Sequence, residues 1–300
     1  MSLLGPLAAL ATSVFWSFTS TMFSLAGRRV GAMVVNRIRL VLAVIFLMLT
    51  HWILQGTPMP LHASPERWFW LGLSGVIGLI IGDALLFQCF VWLGPRLSML
   101  LMSLVPVMSV GLAWLFLDET LTSLQLLAIL ITILGVGFVI LDRAGNQAAI
   151  VEGKRYGIGI LLGLGSALGQ AVGLITAKKG LANGFSVLSG TLMRMTVAMM
   201  ILWFFTLIMR QGQETLRRVR GDHIAMKQLL FGAFSGPFLG VYLSLLAVQL
   251  APVGIASTLM SLPPIFLLPI SHFVFGEQIG WRAILGTVIA LAGVTLLLLF

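Results

Sequence analysis

The chain has 300 residues, of which 59% are hydrophobic and only 9% are charged. A soluble globular domain carries about 25% charged residues, so this composition excludes a soluble protein and predicts a surface that mostly contacts lipid. The net charge of +9 does not indicate nucleic-acid binding, because the basic residues fall at the ends of apolar runs and form no continuous basic face. The single cysteine, Cys89, excludes an intramolecular disulfide framework and a multi-cysteine metal site.

Apolar runs of about 20 residues predict membrane-spanning helices, because only helices and closed barrels satisfy the backbone in lipid. We predict ten such helices, an all-α membrane protein in which no room is left for a soluble catalytic domain. The predicted spans are 3–26, 32–54, 68–93, 96–117, 123–141, 156–177, 185–209, 228–250, 252–275 and 280–300.

The second half of the chain repeats motifs of the first. The tetrapeptide Leu-Met-Ser-Leu occurs at 101–104 and again 158 residues later, at 259–262. We therefore predict two five-helix repeats, 1–145 and 155–300. Because five is an odd number, the second repeat must enter the membrane from the opposite side. Such an inverted-topology repeat is typical of secondary transporters that work by alternating access around a central site.

Charged residues inside predicted spans are candidates for a functional site. A charge at the bilayer centre costs about 2.5–3.5 kcal/mol on insertion scales, so we expect Asp83 to face the interior, as a proton or substrate site or as a structural hydrogen bond between helices. Arg194 lies in mid-span and cannot shed its charge. It either lines a cavity, where it would suit an anionic substrate, or snorkels to the surface. For Arg37 and Arg39, in the first turns of the second span, snorkelling is the simpler interpretation.

Prolines interrupt two spans at related positions, Pro106 and Pro264. Proline removes a backbone donor and kinks a helix, and interrupted helices at matching positions in both halves indicate a transport site, although ordinary spans also tolerate proline. The remaining candidates are polar or aromatic side chains in apolar runs, which either line a pathway or fill packing positions: Gln88, Gln170, Gln249, His272 and Trp16.

Glycines at four-residue spacing on the third, sixth and eighth spans predict close helix packing. Glu119 and Glu277 precede the fifth and tenth spans, and we expect each to cap the helix that follows it. The chain contains no HExxH, GxSxG or GxxxxGK[ST] motif, so we predict no enzyme activity, no catalytic or metal site and no ATP-driven pump.

Short motifs in both halves support a family resemblance. The first half contains Gly94-Pro95, Leu101-Met102-Ser103-Leu104-Val105-Pro106 and Phe116-Leu117-Asp118-Glu119-Thr120-Leu121. The second half contains Ala251-Pro252, Pro263-Pro264 and Phe275-Gly276-Glu277-Gln278-Ile279. Over essentially the whole chain, this arrangement resembles two copies of the EamA-type repeat of the drug/metabolite transporter superfamily.

The resemblance implies a ten-helix inverted-repeat carrier without a cofactor, whose partners are a small-molecule substrate and the lipid bilayer. Members move amino acids, other metabolites or drugs, often outward, through a cavity lined mainly by helices one, three, four, six, eight and nine; Asp83 would fall there. We therefore expect a secondary active exporter, coupled to protons, in a bacterial inner membrane, as a monomer or homodimer. The alternatives are a non-transporting receptor or assembly subunit and a membrane enzyme acting on lipid-linked substrates.

Charge and resemblance disagree about orientation. The connections on one side of the predicted membrane hold twelve Lys and Arg residues, and those on the other side hold three: Arg67, Lys178 and Lys179. We call these the basic side and the terminal side, because both termini belong to the latter. The positive-inside rule places both termini outside, whereas the resemblance implies cytoplasmic termini.

Overall fold

The computed structural model describes residues 3–144, 153–267, 269 and 280–299, and every element within them is helical. The first half contains α1 (Leu4–Val30), α2 (Ala32–Gln55), α3 (Pro65–Ser74), α4 (Asp83–Met102), α5 (Val105–Leu117) and α6 (Ser123–Ala144). The second half contains α7 (Gly153–Gly180), α8 (Val187–Ile208), α9 (Gly212–Arg220), α10 (His223–Ala233), α11 (Val241–Leu250), α12 (Val253–Met260) and α13 (Trp281–Leu299).

The outer surface is apolar, as contact with lipid requires. Side chains such as Ile53 and Phe231 are 80% and 69% exposed, which would promote aggregation in water. Among the described residues, six helices are long and apolar enough to cross a membrane: Ala32–Gln55, Pro65–Cys89, Gly157–Gly180, Val187–Ile208, His223–Leu250 and Trp281–Leu299. Shorter apolar helices cover Val105–Leu117, Ser123–Phe138 and Val253–Leu267. The protein is an integral, all-helical membrane protein, and the count of ten spans stays a prediction.

Two wide π-helical stretches lie at related positions in the two halves. The first π segment, Gly75–Gly82, joins α3 to α4, and the second, Phe234–Gly240, joins α10 to α11. Their last glycines are 158 residues apart, the same offset as the repeated tetrapeptide. π turns are rare and concentrate at functional sites, so these two segments are where a site is expected.

The glycine faces bring α7 into close contact with the first π segment. A Cβ on Gly169 would lie 3.2 Å from Cα of Gly82, and a Cβ on Gly173 would lie 3.2 Å from Cα of Gly78. The Ser74 hydroxyl adds a hydrogen bond of 2.5 Å to the carbonyl of Gly173. The predicted role of these glycines in close packing is confirmed.

The second π segment has an equivalent partner in α1. Gly236 faces Thr19, whose hydroxyl lies 2.9 Å from that of Ser235, and Gly240 faces the indole of Trp16. In each half, therefore, the first helix packs against the π segment of the other half. This exchange interlocks the halves along both π segments.

One predicted helix boundary is wrong. The sequence predicts a break at Gly94-Pro95, but α4 continues through both residues and the chain turns only at 103–104. A proline only disfavours helical backbone in the residue before it, and a kinked helix accommodates it. The corresponding break in the second half is present, because Ala251 is extended and α12 begins at Val253.

Glu119 caps a different helix from the predicted one. α6 is capped by Thr122, whose Oγ1 accepts a hydrogen bond of 3.2 Å from the backbone N–H of Gln125, while the Gln125 side chain accepts one of 3.0 Å from the N–H of Thr122. Glu119 instead crosses to the second half, where its Oε2 accepts a hydrogen bond of 2.8 Å from the N–H of Val253. Glu277 lies outside the described residues.

Candidate functional site

Asp83 lies inside the bundle, at the junction of the first π segment and α4, and is 8% exposed. Arg39 of α2 forms an ion pair with its Oδ2, and Gln170 of α7 donates a hydrogen bond of 2.8 Å to its Oδ1. Both carboxylate oxygens therefore have partners, one from each half of the chain. Such pairing is how a charge is tolerated in an apolar interior.

Arg39 is turned inward by further contacts. Its Nε donates a hydrogen bond of 2.8 Å to Oδ1 of Asn36, its Nη2 lies 3.5 Å from the carbonyl oxygen of Leu79, and its guanidinium lies 5.7 Å from the ring centroid of Phe87. The snorkelling interpretation is wrong for this residue, which the sequence did not single out as a site residue. The available signal was that Arg39 precedes Arg194 by 155 residues, close to the 158-residue offset of the repeated tetrapeptide.

Side chains of α7 satisfy backbone carbonyls in the first π segment. Besides Asp83, Gln170 also reaches the carbonyl of Gly78, at 3.1 Å, and the Ser166 hydroxyl donates a hydrogen bond of 2.8 Å to the carbonyl of Gly82. In lipid, a backbone group released from regular helical bonding needs such a partner. Gln170 thus joins the irregular backbone to the buried carboxylate.

Arg194 of α8 lies against the same π segment. The backbone carbonyl of Arg194 lies so close to Gly75 that a Cβ there would not fit. The Nη2 of Arg194 would lie 2.8 Å from a Cβ on Gly78. The residue is 3% exposed, its Nε is buried without a hydrogen-bond partner, and it forms no ion pair with a described residue. The same Cβ position on Gly78 would lie 3.8 Å from Oε1 of Gln170, so Arg194 lies beside the side chain that donates to Asp83. We call Arg39, Asp83, Gln170 and Arg194 the polar cluster.

Arg37 has a separate role at the basic side. It is buried, and its guanidinium donates to Oγ1 of Thr215 at 2.9 Å and to Oε1 of Gln211. Its carbonyl accepts a hydrogen bond of 3.3 Å from the indole of Trp203. Arg37 therefore fixes α9 to α2 and does not join the polar cluster.

The other predicted glutamines lie away from the polar cluster. Gln88 is exposed on α4. Gln249, at the terminal side, donates hydrogen bonds of 3.0 and 2.8 Å to the carbonyls of Leu181 and Phe185. Of the three predicted glutamines, the structure brings only Gln170 to Asp83.

The remaining predicted residues are also dispersed. Trp16 packs on the second π segment, Pro106 is buried in the first turn of α5, and Pro264 is buried in the helical stretch 263–267. His272 lies outside the described residues.

A pocket of about 560 Å³ opens at the terminal side, between the ends of α3, α5, α7 and α11. On its wall, Lys178 forms an ion pair with Glu119 and donates a hydrogen bond of 2.8 Å to the carbonyl of Ala251. The Lys179 ammonium lies 5.1 Å from the ring centroid of Trp70. Pockets of about 300–1,000 Å³ accommodate small organic molecules. The sequence did not predict this pocket, because its lining residues come from four distant segments.

Comparisons with known proteins match both halves of the chain. The sequence profile of the EamA-like transporter family matches residues 3–141 and 157–299. Among solved structures, one crystal structure is similar with a TM-score of 0.77 and 13% sequence identity, covering 97% of this chain and 95% of that chain. At this identity, the likeness concerns the fold alone. No curated protein matches the chain.

Proposed function

Because the chain belongs to the EamA-like transporter family, we propose that it is a secondary active transporter that exports small organic metabolites in exchange for protons. The observation that carries this proposal is the polar cluster in the apolar interior, where the Asp83 carboxylate pairs with Arg39 of the first half and accepts a hydrogen bond from Gln170 of the second. Ionisable residues inside membrane spans are costly, and they mark substrate and proton pathways. A bacterial inner membrane is the proposed location.

Alternating access between the repeats, 1–145 and 155–300, is the proposed transport mechanism. The reciprocal packing of α1 and α7 against the two π segments supports it, because a pseudo-two-fold relation between inverted repeats would produce such an exchange. The terminal-side pocket supports it as well, since its wall combines ends of helices from both halves. A substrate would enter there and reach the polar cluster as the halves move.

Asp83 is the proposed proton-binding group. Its ionised carboxylate holds Arg39 of α2 and Gln170 of α7 together. Protonation would remove the charge that attracts Arg39. Removing one partner of a buried ion pair costs about 3–5 kcal/mol, which shifts an equilibrium between two conformations by roughly two to four powers of ten. Proton binding from one side and release to the other would therefore drive the exchange of conformations.

The two alternatives lack comparable support. A receptor or assembly subunit does not require a buried carboxylate that binds side chains of both halves in the apolar interior. A lipid-modifying enzyme requires clustered acids or histidines at one interface. Among the described residues, no three His, Cys, Asp or Glu side chains lie close enough to share a metal ion.

Proteoliposomes with an imposed proton gradient test the proposal. A trapped pH-sensitive dye reports proton movement when pools of neutral amino acids, carboxylates or cationic dyes are added in turn. We expect at least one pool to dissipate the gradient with the wild type and to fail with Asp83→Asn. Gln88→Ala, which changes an exposed amide on the same helix, is the matched control and should behave as wild type. Unchanged coupling in Asp83→Asn, or a wild type that moves none of the pools, would contradict the proposal.

A further inference from the structure

The polar cluster carries more positive than negative charge. Arg39 and Arg194 supply two cations, Asp83 supplies one anion, and Gln170 is neutral. Both oxygens of Asp83 are already engaged, one by Arg39 and the other by Gln170. Arg194 is therefore a surplus cation, and within the described part of the chain no group forms an ion pair with it or accepts a hydrogen bond from its Nε.

A surplus arginine at this depth needs compensation. Its guanidinium stays charged under all relevant conditions, and Arg194 is 3% exposed, so water cannot solvate it as it would a surface side chain. A buried charge without a partner is strongly unfavourable. Residues that break such a rule concentrate at functional sites.

We propose that Arg194 binds the acidic group of the transported substrate, which makes the substrate an organic anion with a carboxylate or a comparable group. This inference rests on the proposed function and specifies its substrate class. A carboxylate suits the site because a guanidinium donates two parallel hydrogen bonds to it. With Asp83 ionised, one bound monoanion brings the polar cluster to zero net charge.

The packing around Arg194 determines when the anion can bind. Glycines of the first π segment face the guanidinium of Arg194. Because Gly78 has no side chain, Nη2 of Arg194 lies directly against its backbone. Because the side chain is almost completely covered, the anion reaches it only when the halves separate.

Thermal unfolding of the purified protein tests the inference. The probes are succinate and benzoate as organic anions, choline as an organic cation and chloride as a simple anion, all at equal ionic strength. Ligands that bind the folded state raise its Tm. We expect succinate or benzoate to raise the Tm in a concentration-dependent manner, and choline and chloride not to do so. Arg194→Gln should abolish the shift. Arg220→Gln, which removes an exposed arginine of α9 at the basic side, is the control and should retain it.

The unliganded variant distinguishes a binding residue from a structural one. If Arg194 is uncompensated in the empty protein, Arg194→Gln should raise the Tm without ligand while losing the shift with organic anions. A lower Tm or failure to fold would identify Arg194 as a structural brace and overturn the proposal. The proposal would also be overturned if organic anions still raised the Tm of Arg194→Gln, or if they did not raise the Tm of the wild type. An equal rise with chloride, or a rise with choline alone, would overturn it as well. Asp83-dependent flux of the cationic-dye pool alone would leave the transport proposal standing while the anion inference fails.

Discussion

Gln170 of the second half donates a hydrogen bond to Asp83 of the first half, with 2.8 Å between Nε2 and Oδ1. The same amide reaches the carbonyl of Gly78, so one side chain serves both the buried carboxylate and the irregular backbone beside it. Together with the ion pair between Arg39 and Asp83, this contact makes the first π segment the place where charge, backbone irregularity and the junction of the halves coincide.

Replacing Gln170 should destabilise the folded protein through the groups that it leaves unsatisfied. Gln170→Leu keeps a similar volume but removes the donor to Asp83 and to Gly78. A buried polar group without its partner costs about 1–3 kcal/mol. We expect a loss of this size in chemical unfolding followed in nanodiscs. Gln88→Leu, at an exposed position, should change the free energy of unfolding by less than about 0.5 kcal/mol. Equal effects of the two substitutions would contradict the placement of Gln170.

The ion pair between Arg39 and Asp83 should show strong coupling in a double-mutant cycle. Arg39→Gln leaves the carboxylate without its cation and should destabilise by about 3–5 kcal/mol, whereas the double variant Arg39→Gln/Asp83→Asn removes both charges and should recover most of that loss. Unfolding of the four proteins under one set of conditions measures the coupling. Simple additivity of the two single substitutions would show that the pair does not form.

A carbon added to the glycine contacts between α7 and the first π segment should destabilise the protein. In Gly173→Ala, the new Cβ would lie 3.2 Å from Cα of Gly78, and the backbone of Gly78 would have to move by a few tenths of an ångström, so we expect a loss of about 1–3 kcal/mol. Gly137→Ala in α6 is the matched control, because nothing lies within 4 Å of its Cβ. There, alanine should stabilise the helix by about 0.5–1 kcal/mol. Thermal unfolding of both variants checks the difference in sign.

The free-energy cost of placing a charge in the bilayer explains which part of the polar cluster could be predicted. Because of this cost, Asp83 was expected to face the interior, and Asp83 is buried in the structure. The identity of its partner was not predictable, because Arg39 is close enough to the end of its span to snorkel. Asn36, one helical turn before Arg39, is a contact that the sequence contains, but the contacts with Phe87 and Asp83 turn the side chain inward and come from a distant helix. A local sequence pattern carries no information about those two contacts.

Contacts between distant segments explain the other differences. The motif around Glu119 predicts a helix cap, but the capped N–H belongs to Val253, on the other side of the repeat boundary. The local pattern instead supplies Thr122 and Gln125 as the cap of α6. Spacing along the chain thus predicts the helices and the glycine faces, whereas pairings between the halves depend on how the repeats interlock.

The twelve Lys and Arg residues of the basic side should keep that side in the cytoplasm, with the terminal-side pocket open to the outside. The only native cysteine, Cys89, is buried, so background labelling should be low. His62 and Gln213 are both exposed, on the terminal and basic sides. A membrane-impermeant maleimide added to intact cells should label His62→Cys and leave Gln213→Cys unlabelled until the cells are permeabilised. The reverse pattern would show that the termini are cytoplasmic, as the family resemblance implies, and that the positive-inside bias does not decide the orientation of this chain.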